Sequence, residues 1–328
     1  MSANFPYLSR KLVTEPFQDR NLLEAIWAQN WGADNPIGQI RKVLMHRPGS
    51  EVYRLHQPDG QVEAGPALLN NISGKTKFTG STPLNLDVLR SQHEALTAAL
   101  KQEGVQIIDL DGDSGLWPEA MFTRDSAMIV PGGAILSRYT LYLRYGETRL
   151  AAHTLGRIGM PILGMLQGVG LAEGGSFIML DNKTAIIGRS ERVNPEGIQQ
   201  LKQILSWQSI DLIVIDLPGS IIHLDEAFLM VDRNKALVNI AYLPYWFLDE
   251  LHSRGIQLLH VDPRDPMLTI NGLTISPGRM LISSAGKYTI ELLSHHDIDV
   301  IPVEVSEIQK LGGGIHCCTL PLIREPLQ

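Results

Sequence analysis

Apolar and polar positions recur along the chain as two short apolar runs, a turn and a stretch with helical periodicity, at intervals of about fifty residues. Gly, Pro, Asn or Asp stands between the two runs of the clear copies, which is typical of the turn of a β-hairpin. Three copies align clearly and two weaker ones complete a set of five, beginning at Phe122, Ala172, Ile222, Ile40 and Leu273. The pattern predicts five hairpins.

Helical periodicity fills the intervals between these hairpins. The predicted helices are Leu86 to Glu103, Arg144 to Ile158, Pro195 to Leu205 and Ala285 to Ser294. Alternation of hairpin and helix gives ββαβ-like units of the α/β class. A sheet this small cannot bury both faces alone, so we expect the five units to pack around one axis where the hairpin entrances converge.

Two segments stand outside this rhythm. Residues 1–36 are interpreted as an N-terminal extension and residues 37–328 as a single domain. Within that domain, residues 54–83 are rich in Gly, Pro, Asn, Ser and Thr. A connector of this length in a compact domain is commonly a lid or a binding loop. We therefore expect either a lid over the central site or a passive surface loop.

Composition narrows the class of protein. The 328 residues are 44% hydrophobic and 19% charged, as in an ordinary globular chain. Twenty-eight basic against thirty-five acidic residues give a net charge of −7, the wrong sign for holding nucleic acid. No apolar run reaches eighteen residues, so we expect no membrane partner and a cytoplasmic protein. No CxxC or HExxH occurs, so no metal is expected, while a homo-oligomer stays compatible with the sequence.

Three glycines, residues 312–314, precede His316 and the adjacent cysteines Cys317 and Cys318. Glycines allow the backbone to approach a ligand closely, and neighbours on an extended segment face opposite sides. One cysteine should therefore point toward the axis. The alternative is a pair of small buried residues in a terminal strand, because free cysteine often has only that role.

Four polar side chains stand at equivalent entrances of apolar strands: Asp125, Glu173, His223 and Asp225. Burying several carboxylates is costly without partners, so their convergence indicates a cation bound at the centre. A guanidinium suits such a site because its planar N–H donors match paired carboxylates. A thiolate below that plane could attack the central carbon, and His223 could supply and remove protons.

Six motifs in order carry a resemblance to a known superfamily. They are HRPGS near His46, FTRD at 122–125, EGG at 173–175, GRSERVN at 188–194, HLD at 223–225 and GGGIHC ending at Cys317. From Ile37 to Glu325 the chain resembles the guanidine-modifying enzymes: arginine deiminases, dimethylarginine dimethylaminohydrolases, agmatine deiminases and amidinotransferases. The resemblance implies a five-bladed α/β-propeller (pentein) with a central active site and no cofactor.

The resemblance also implies roles for individual residues. Cys317 is the expected nucleophile and His223 the acid and base. Asp125 and Asp225 would hold the guanidinium nitrogens, and Glu173 would orient His223 and the charged end of the substrate. Arg144 and Arg192 match arginines that bind the substrate carboxylate in arginine deiminases, although each could equally be a solvated surface arginine.

Within the superfamily, the acid in HLD favours the deiminases and an unmethylated guanidine. Glu119 and Gly312 replace an asparagine and an arginine that recognise the amino-acid end of the substrate in deiminases, so the sequence leaves open both that end of the substrate and the way it binds. The sequence predicts a cysteine-dependent hydrolase with arginine as lead substrate, giving a ureido product and ammonia through a thiouronium on Cys317. The alternatives are a methylarginine hydrolase, an amidinotransferase and, last, a guanidine-binding protein without catalysis.

Overall fold

Five three-stranded sheets make up the β-structure of the computed structural model, which describes residues 12–56, 83–112 and 115–327. Most of the predicted lid, residues 57–82, lies outside the described residues. The strands of the first sheet are Leu320–Arg324, Ile40–Met45 and Gln106–Asp109, and those of the second are Ala127–Val130, Gly133–Leu136 and Ile162–Met165. The third sheet contains Phe177–Asp181, Thr184–Arg189 and Asp211–Asp216, and the fourth contains Phe228–Asp232, Lys235–Val238 and Gln257–His260. The fifth contains Leu273–Ser276, Arg279–Ser283 and Asp299–Val303. We call them the first to fifth blades.

The second to fifth blades share one topology. Two strands form an antiparallel hairpin, and a helix then returns the chain to a third strand parallel to the second. In the third blade, for example, Phe177 pairs with Ile187 across the hairpin. Four consecutive ββαβ units are therefore present, and with the first blade they confirm the predicted five-bladed α/β-propeller.

The first blade departs from the predicted local hairpin. Ile40–Met45 pairs antiparallel with Leu320–Arg324, the last strand of the chain, and the segment after Met45 enters a 3-10 helix, Ser50–His56. The prediction of a hairpin near Ile40 is wrong in this respect, because Pro48 and Gly49 interrupt any second apolar run. The first blade therefore closes the ring by pairing a strand near the start of the domain with the last strand of the chain.

The α-helices are Arg20–Trp27, Leu86–Gln102, Glu147–Arg157, Pro195–Ser206, Tyr245–Ser253, Lys287–His295 and Ser306–Gln309. Four correspond to the predicted helices, and Tyr245–Ser253 fills the equivalent place in the fourth blade. Their starts follow local chemistry: the Asn85 side chain accepts from two backbone N–H groups of Leu86–Gln102, and Asn194 caps a helix whose first residue is Pro195. None of the described helices is long and apolar enough to cross a membrane.

Hydrophobic cores lie between the sheets and the helices that cover them. Leu89, Leu96 and Leu100, spaced along one face of their helix, are fully buried against Val43 of the first blade. Burying a leucine side chain stabilises the fold by about 1.5 to 3 kcal/mol. This packing on the outside of each sheet leaves the strand entrances free to face the axis.

Short 3-10 turns precede the first strand of the second to fifth blades, and consecutive turns contact one another around the axis. They are Thr123–Ser126, Gly174–Ser176, Leu224–Glu226 and Met267–Ile270. The entrance of Leu320–Arg324, which carries His316 and Cys317, completes the ring. Polar side chains from several blades therefore lie close together at these entrances.

Candidate active site

Three polar side chains from neighbouring blades meet at His223. Its Nε2 lies 2.8 Å from Oε2 of Glu173, and its Nδ1 lies 3.5 Å from Oδ1 of Asp125. All three side chains are buried. An imidazole held between two carboxylates has both ring nitrogens directed at negative charge, so its protonated form is favoured.

Local backbone structure fixes the position of His223. The residue caps the turn Leu224–Glu226, and the carboxylate of Glu226 accepts the backbone N–H groups of Ile222 and His223 at 2.8 and 3.1 Å. Glu226 is itself buried. The histidine therefore projects from a segment whose orphan N–H groups are satisfied within the same turn.

Gly175 allows the acid and the histidine to approach each other. A Cβ at this position would lie 2.5 Å from Oδ1 of Asp125 and 2.9 Å from Nδ1 of His223. The Gly175 N–H also donates to that aspartate oxygen at 3.1 Å. A side chain at the second glycine of the EGG motif would therefore separate the groups that form the site.

Cys317 enters the site from the strand entrance of the first blade. Its Sγ lies 3.8 Å from Oδ2 of Asp225, and its N–H donates to the side-chain oxygen of Asn271 at 3.1 Å. Cys318 is fully buried in the hydrophobic core beside it. Gly312 has a φ of 89°, a backbone conformation that favours glycine over residues with a side chain.

Asp225 is only partly satisfied. Its Oδ2 accepts from Nδ1 of His316 at 2.7 Å, whereas its Oδ1 is buried and has no hydrogen-bond partner among the described residues. Burial disfavours the charged carboxylate, but the hydrogen bond and charge of His316, together with the charges of His223 and Arg124, lower the pKa of Asp225. One oxygen of this ionised carboxylate is therefore buried without a donor, while the other lies near the thiol.

Charge interactions set the protonation states. Burial works against charged His223, but Asp125 and the Glu173 hydrogen bond raise the pKa of His223 to about 9. Burial also opposes ionised Glu173, but Arg192 and His223 lower the pKa of Glu173 to about 2. Burial, followed by the charges of Asp225 and Asp125, raises the pKa of the Cys317 thiol well above its usual value. Without a ligand, the site therefore holds an imidazolium and a neutral thiol.

Arg144 is engaged with side chains of the protein on every nitrogen. Nη1 lies 2.6 Å from Asp125, and Nε and Nη2 donate to Glu147 at 3.1 and 2.8 Å. Nη2 also donates to the carbonyl of Phe122. The predicted contact between Arg144 and a substrate carboxylate stays a prediction, and the observed partner of this arginine is the site acid Asp125.

Arg192 retains capacity for a further anion. Its Nε donates to Glu191 at 3.2 Å and its Nη1 lies 3.5 Å from Glu173, but no hydrogen bond joins Nη2 to any described residue. Glu119, 3.3 Å from Nε of Arg144, borders the same region, and burial raises the pKa of Glu119. The predicted site residues thus form two groups. Six are linked by ion pairs or hydrogen bonds, namely Asp125, Glu173, His223, Arg144, Arg192 and Glu119, and the other two, Cys317 and Asp225, contact each other.

Ligand atoms of Asp125, Glu173 and His223 lie within 4.8 Å of one another and could hold a divalent metal ion. A metal-bound imidazole must be deprotonated, whereas this histidine has its pKa raised to about 9. A proton and a metal ion are therefore competing occupants of the same place.

Four further residues support this network and were not assigned roles from the sequence: Asn271, His316, Glu147 and Glu226. Glu147 follows Arg144 by three residues, a spacing that favours an ion pair on one face and could have been recognised. Asn271 precedes the weak fifth copy of the repeat, where the alignment carries little signal. His316 was visible beside Cys317, but its partner, 91 positions away, was not.

Comparisons with known proteins agree with this geometry. A family model described as N,N dimethylarginine dimethylhydrolase, eukaryotic, matches residues 70–324. The uncharacterized protein YkgA of Bacillus subtilis is 30% identical over 243 residues, covering 74% of this chain and 82% of that protein. Arginine deiminase of Borrelia recurrentis is 24% identical over 284 residues, covering 74% and 68%.

Among solved structures, dimethylarginine dimethylaminohydrolase from Pseudomonas aeruginosa, complexed with citrulline, has a TM-score of 0.68 at 20% identity, covering 86% of this chain and 99% of that chain. At that identity the likeness concerns the fold. The resemblance drawn from the six motifs is confirmed by the family match. Because the matched model spans well over half of the chain, the chain belongs to the N,N-dimethylarginine dimethylhydrolase family, whose enzymes are hydrolases acting on guanidino carbon–nitrogen bonds.

Proposed function

We propose that this hydrolase deiminates the unmethylated guanidino group of L-arginine or a close relative, with Cys317 as nucleophile. The observation that carries the proposal is the buried Oδ1 of Asp225, which has no partner among the described residues. That oxygen belongs to the carboxylate whose other oxygen lies 3.8 Å from Sγ of Cys317, and an N–H of the guanidinium would satisfy it. Two methyl groups on that nitrogen would remove both of its N–H donors and leave the oxygen unsatisfied.

The bound cation also explains how a thiol with a raised pKa becomes a nucleophile. Asp125 and Asp225 oppose ionisation of Cys317 in the empty site. A guanidinium between them would supply the missing positive charge and favour the thiolate, and the thiol proton would leave to solvent. Substrate binding and activation of the nucleophile are then one event.

In the first half of the reaction, the Cys317 sulfur forms a bond to the guanidinium carbon. His223, already protonated, donates its proton to the departing nitrogen as the C–N bond breaks, and ammonia leaves. The product on the enzyme is a thiouronium. The geometry of Glu173 and Glu226 serves this step by holding the imidazolium at a fixed orientation.

In the second half, neutral His223 takes a proton from water, whose oxygen attacks the thiouronium carbon. Collapse of the adduct breaks the C–S bond, restores the Cys317 thiolate and gives the ureido product. The relative from Pseudomonas aeruginosa is complexed with citrulline, the ureido product that corresponds to arginine. No cofactor takes part in this sequence.

The remote end of the substrate is proposed to bind Arg192. Its Nη2 has no hydrogen bond to a described residue, whereas Arg144 is held by Asp125 and Glu147. A substrate carboxylate at Arg192 would form the charge-assisted pair that arginine offers and agmatine lacks. We therefore expect arginine to be preferred over agmatine.

Methylarginine hydrolysis is the second candidate, because the family model that matches carries that activity in its description. The two candidates differ in the leaving group, which is ammonia from arginine and a methylamine from a methylated substrate. An amidinotransferase would replace water by an acceptor amine. A single assay separates all three.

The assay gives purified enzyme arginine, agmatine, methylarginines and guanidino acids separately, and measures ammonia, methylamines and product mass. We expect ammonia and a ureido product from arginine, unchanged by added glycine, ornithine or lysine. If kcat/KM were higher for dimethylarginine than for arginine, dimethylarginine would take the place of arginine as the proposed substrate. Turnover that required an added amine and released no ammonia would replace hydrolysis by transfer.

A further inference from the structure

Arg124 belongs to the strand-entrance turn Thr123–Ser126, whereas Arg324 is the last residue of the strand Leu320–Arg324. Arg124 and Arg324 line a cavity of about 50 Å³ that His316 and Gly174 border on the side of the active site. Arg324 also lines a second cavity of about 240 Å³, which reaches the hairpin turns at Gly132. The smaller cavity therefore begins behind the strand entrances, and the larger one reaches the hairpin-turn end of the blades. We call the smaller one the rear cavity.

Neither guanidinium has the counterion that a buried charge normally requires. Arg324 donates to two backbone carbonyls, those of Gly38 and Thr274, at 2.7 and 2.9 Å. Arg124 donates from Nε to the carbonyl of His316 at 3.3 Å, and its Nη2 is buried with no hydrogen-bond partner among the described residues. No carboxylate in the described ranges forms an ion pair with either one.

The lowered pKa values of Arg124 and Arg324 also indicate buried positive charge without a counterion. Burial, followed by the charge of Arg124, lowers the pKa of Arg324 to about 9. Burial also lowers the pKa of Arg124 to about 10, although Asp225 acts in the opposite direction from beyond ion-pair distance. A guanidinium remains protonated at neutral pH in either case, so the rear cavity carries excess positive charge. Asp34, the acid lining the larger cavity, is half-buried and bonds to Asn35.

We propose that the rear cavity binds one small monovalent anion, the size of chloride, bromide or nitrate, between Arg124 and Arg324. A water molecule needs about 10 to 15 Å³ measured in this way, so the cavity has room for such an ion and excludes bulky anions. The ion would satisfy the orphan Nη2 and supply the missing negative charge. Arg124 also bonds through its backbone N–H to the Cys317 carbonyl, so the anion lies one residue behind the nucleophile.

Thermal unfolding tests the site in solution independently of catalysis. The full chain is titrated with sodium chloride, bromide or nitrate, with sodium gluconate keeping the ionic strength constant. A ligand at ten times its Kd raises Tm of a chain this size by about 2 to 4 °C, and the rise saturates. Arg324→Gln should remove the rise. Arg41→Gln, which removes an exposed ion pair with Glu325 from the neighbouring strand, should keep it.

Crystals of the unmodified protein give a second readout if Arg324→Gln does not fold. After transfer to sodium bromide, an anomalous peak should lie between the Arg124 and Arg324 side chains. A rear cavity holding only water, together with a Tm that does not respond saturably to small anions, would overturn the proposal. Because neither readout uses turnover, failure here leaves the proposed deiminase activity standing, and the converse also holds.

Discussion

The active site and the rear cavity behind it differ in their charged side chains. At the strand entrances, acids outnumber bases: Asp125, Glu173, Asp225, Glu119 and Glu147 surround His223, Arg144 and Arg192. At the rear, Arg124 and Arg324 form no ion pair with a described acid. Because burying uncompensated charge is costly, each imbalance indicates the charge of the missing occupant, a cation in front and an anion behind.

The front end is itself divided. Asp125 is neutralised by Arg144 at 2.6 Å and contacts Gly175 and His223, whereas Asp225 keeps one oxygen without a partner. The repeat alignment makes the two acids equivalent, yet the structure gives them different surroundings. One acid holds the site together and the other is open to a ligand.

The adjacent cysteines give the largest expected effect at the front end. Cys317→Ser should lower kcat by at least about 10³-fold, because a serine hydroxyl there is a far weaker nucleophile than a thiolate. Cys318→Ser, the matched control, should keep kcat within about threefold, since Cys318 lies in the hydrophobic core. Steady-state ammonia release measures both variants. Equal losses would remove the distinction between them.

The two aspartates should differ more in stability than in catalysis. Asparagine at either position should lower kcat/KM by about ten- to more than a hundredfold, the value of one or two charge-assisted hydrogen bonds. Asp125→Asn should also destabilise the fold by about 1 to 3 kcal/mol, because Nη1 of Arg144 loses its buried carboxylate while Nε and Nη2 keep Glu147. Paired measurements of kcat/KM and Tm test this. Unchanged activity in Asp225→Asn would contradict its proposed contact with the guanidinium.

Arg192→Gln sharpens the account of the substrate's remote end. We expect kcat/KM for arginine to fall by roughly ten- to a hundredfold through loss of a charge-assisted pair. Agmatine, which lacks the carboxylate, should lose less, and this comparison also corrects for the contact of Arg192 with Glu173. An equal loss on both substrates would leave Arg192 with a structural role only.

The smallest expected effect is a displacement along the pH axis. Since the pKa of His223 is raised to about 9 and its protonated form donates to the leaving group, kcat/KM should fall as pH rises above about 9. Glu173→Gln removes a charge and a hydrogen bond that raise this pKa, so the fall should begin about one or more units lower. Glu191→Gln removes a charged partner of Arg192 and no contact of His223, so the pH at which kcat/KM falls should stay unchanged in this control.

Much of the site could be predicted from the sequence because the fold repeats. Equivalent hairpin starts must converge on one axis, which located Asp125, Glu173, His223 and Asp225. The closure of the first blade by Leu320–Arg324 could not be predicted, since pairing over that separation leaves no local periodicity. The engagement of Arg144 by Asp125 was also missed, because motif positions indicate which residues are present and not which partners they choose. Nothing local in the sequence indicated the rear cavity.

Acid quenching of the enzyme during turnover of arginine tests the central claim most directly. Digestion and mass spectrometry should place an amidino adduct derived from the substrate on the sulfur of Cys317, and the adduct should disappear as ureido product and ammonia accumulate. Cys318 should remain unmodified in the same digest. An adduct on Cys318, or turnover of arginine with no covalent intermediate in a quench-flow series, would contradict the account.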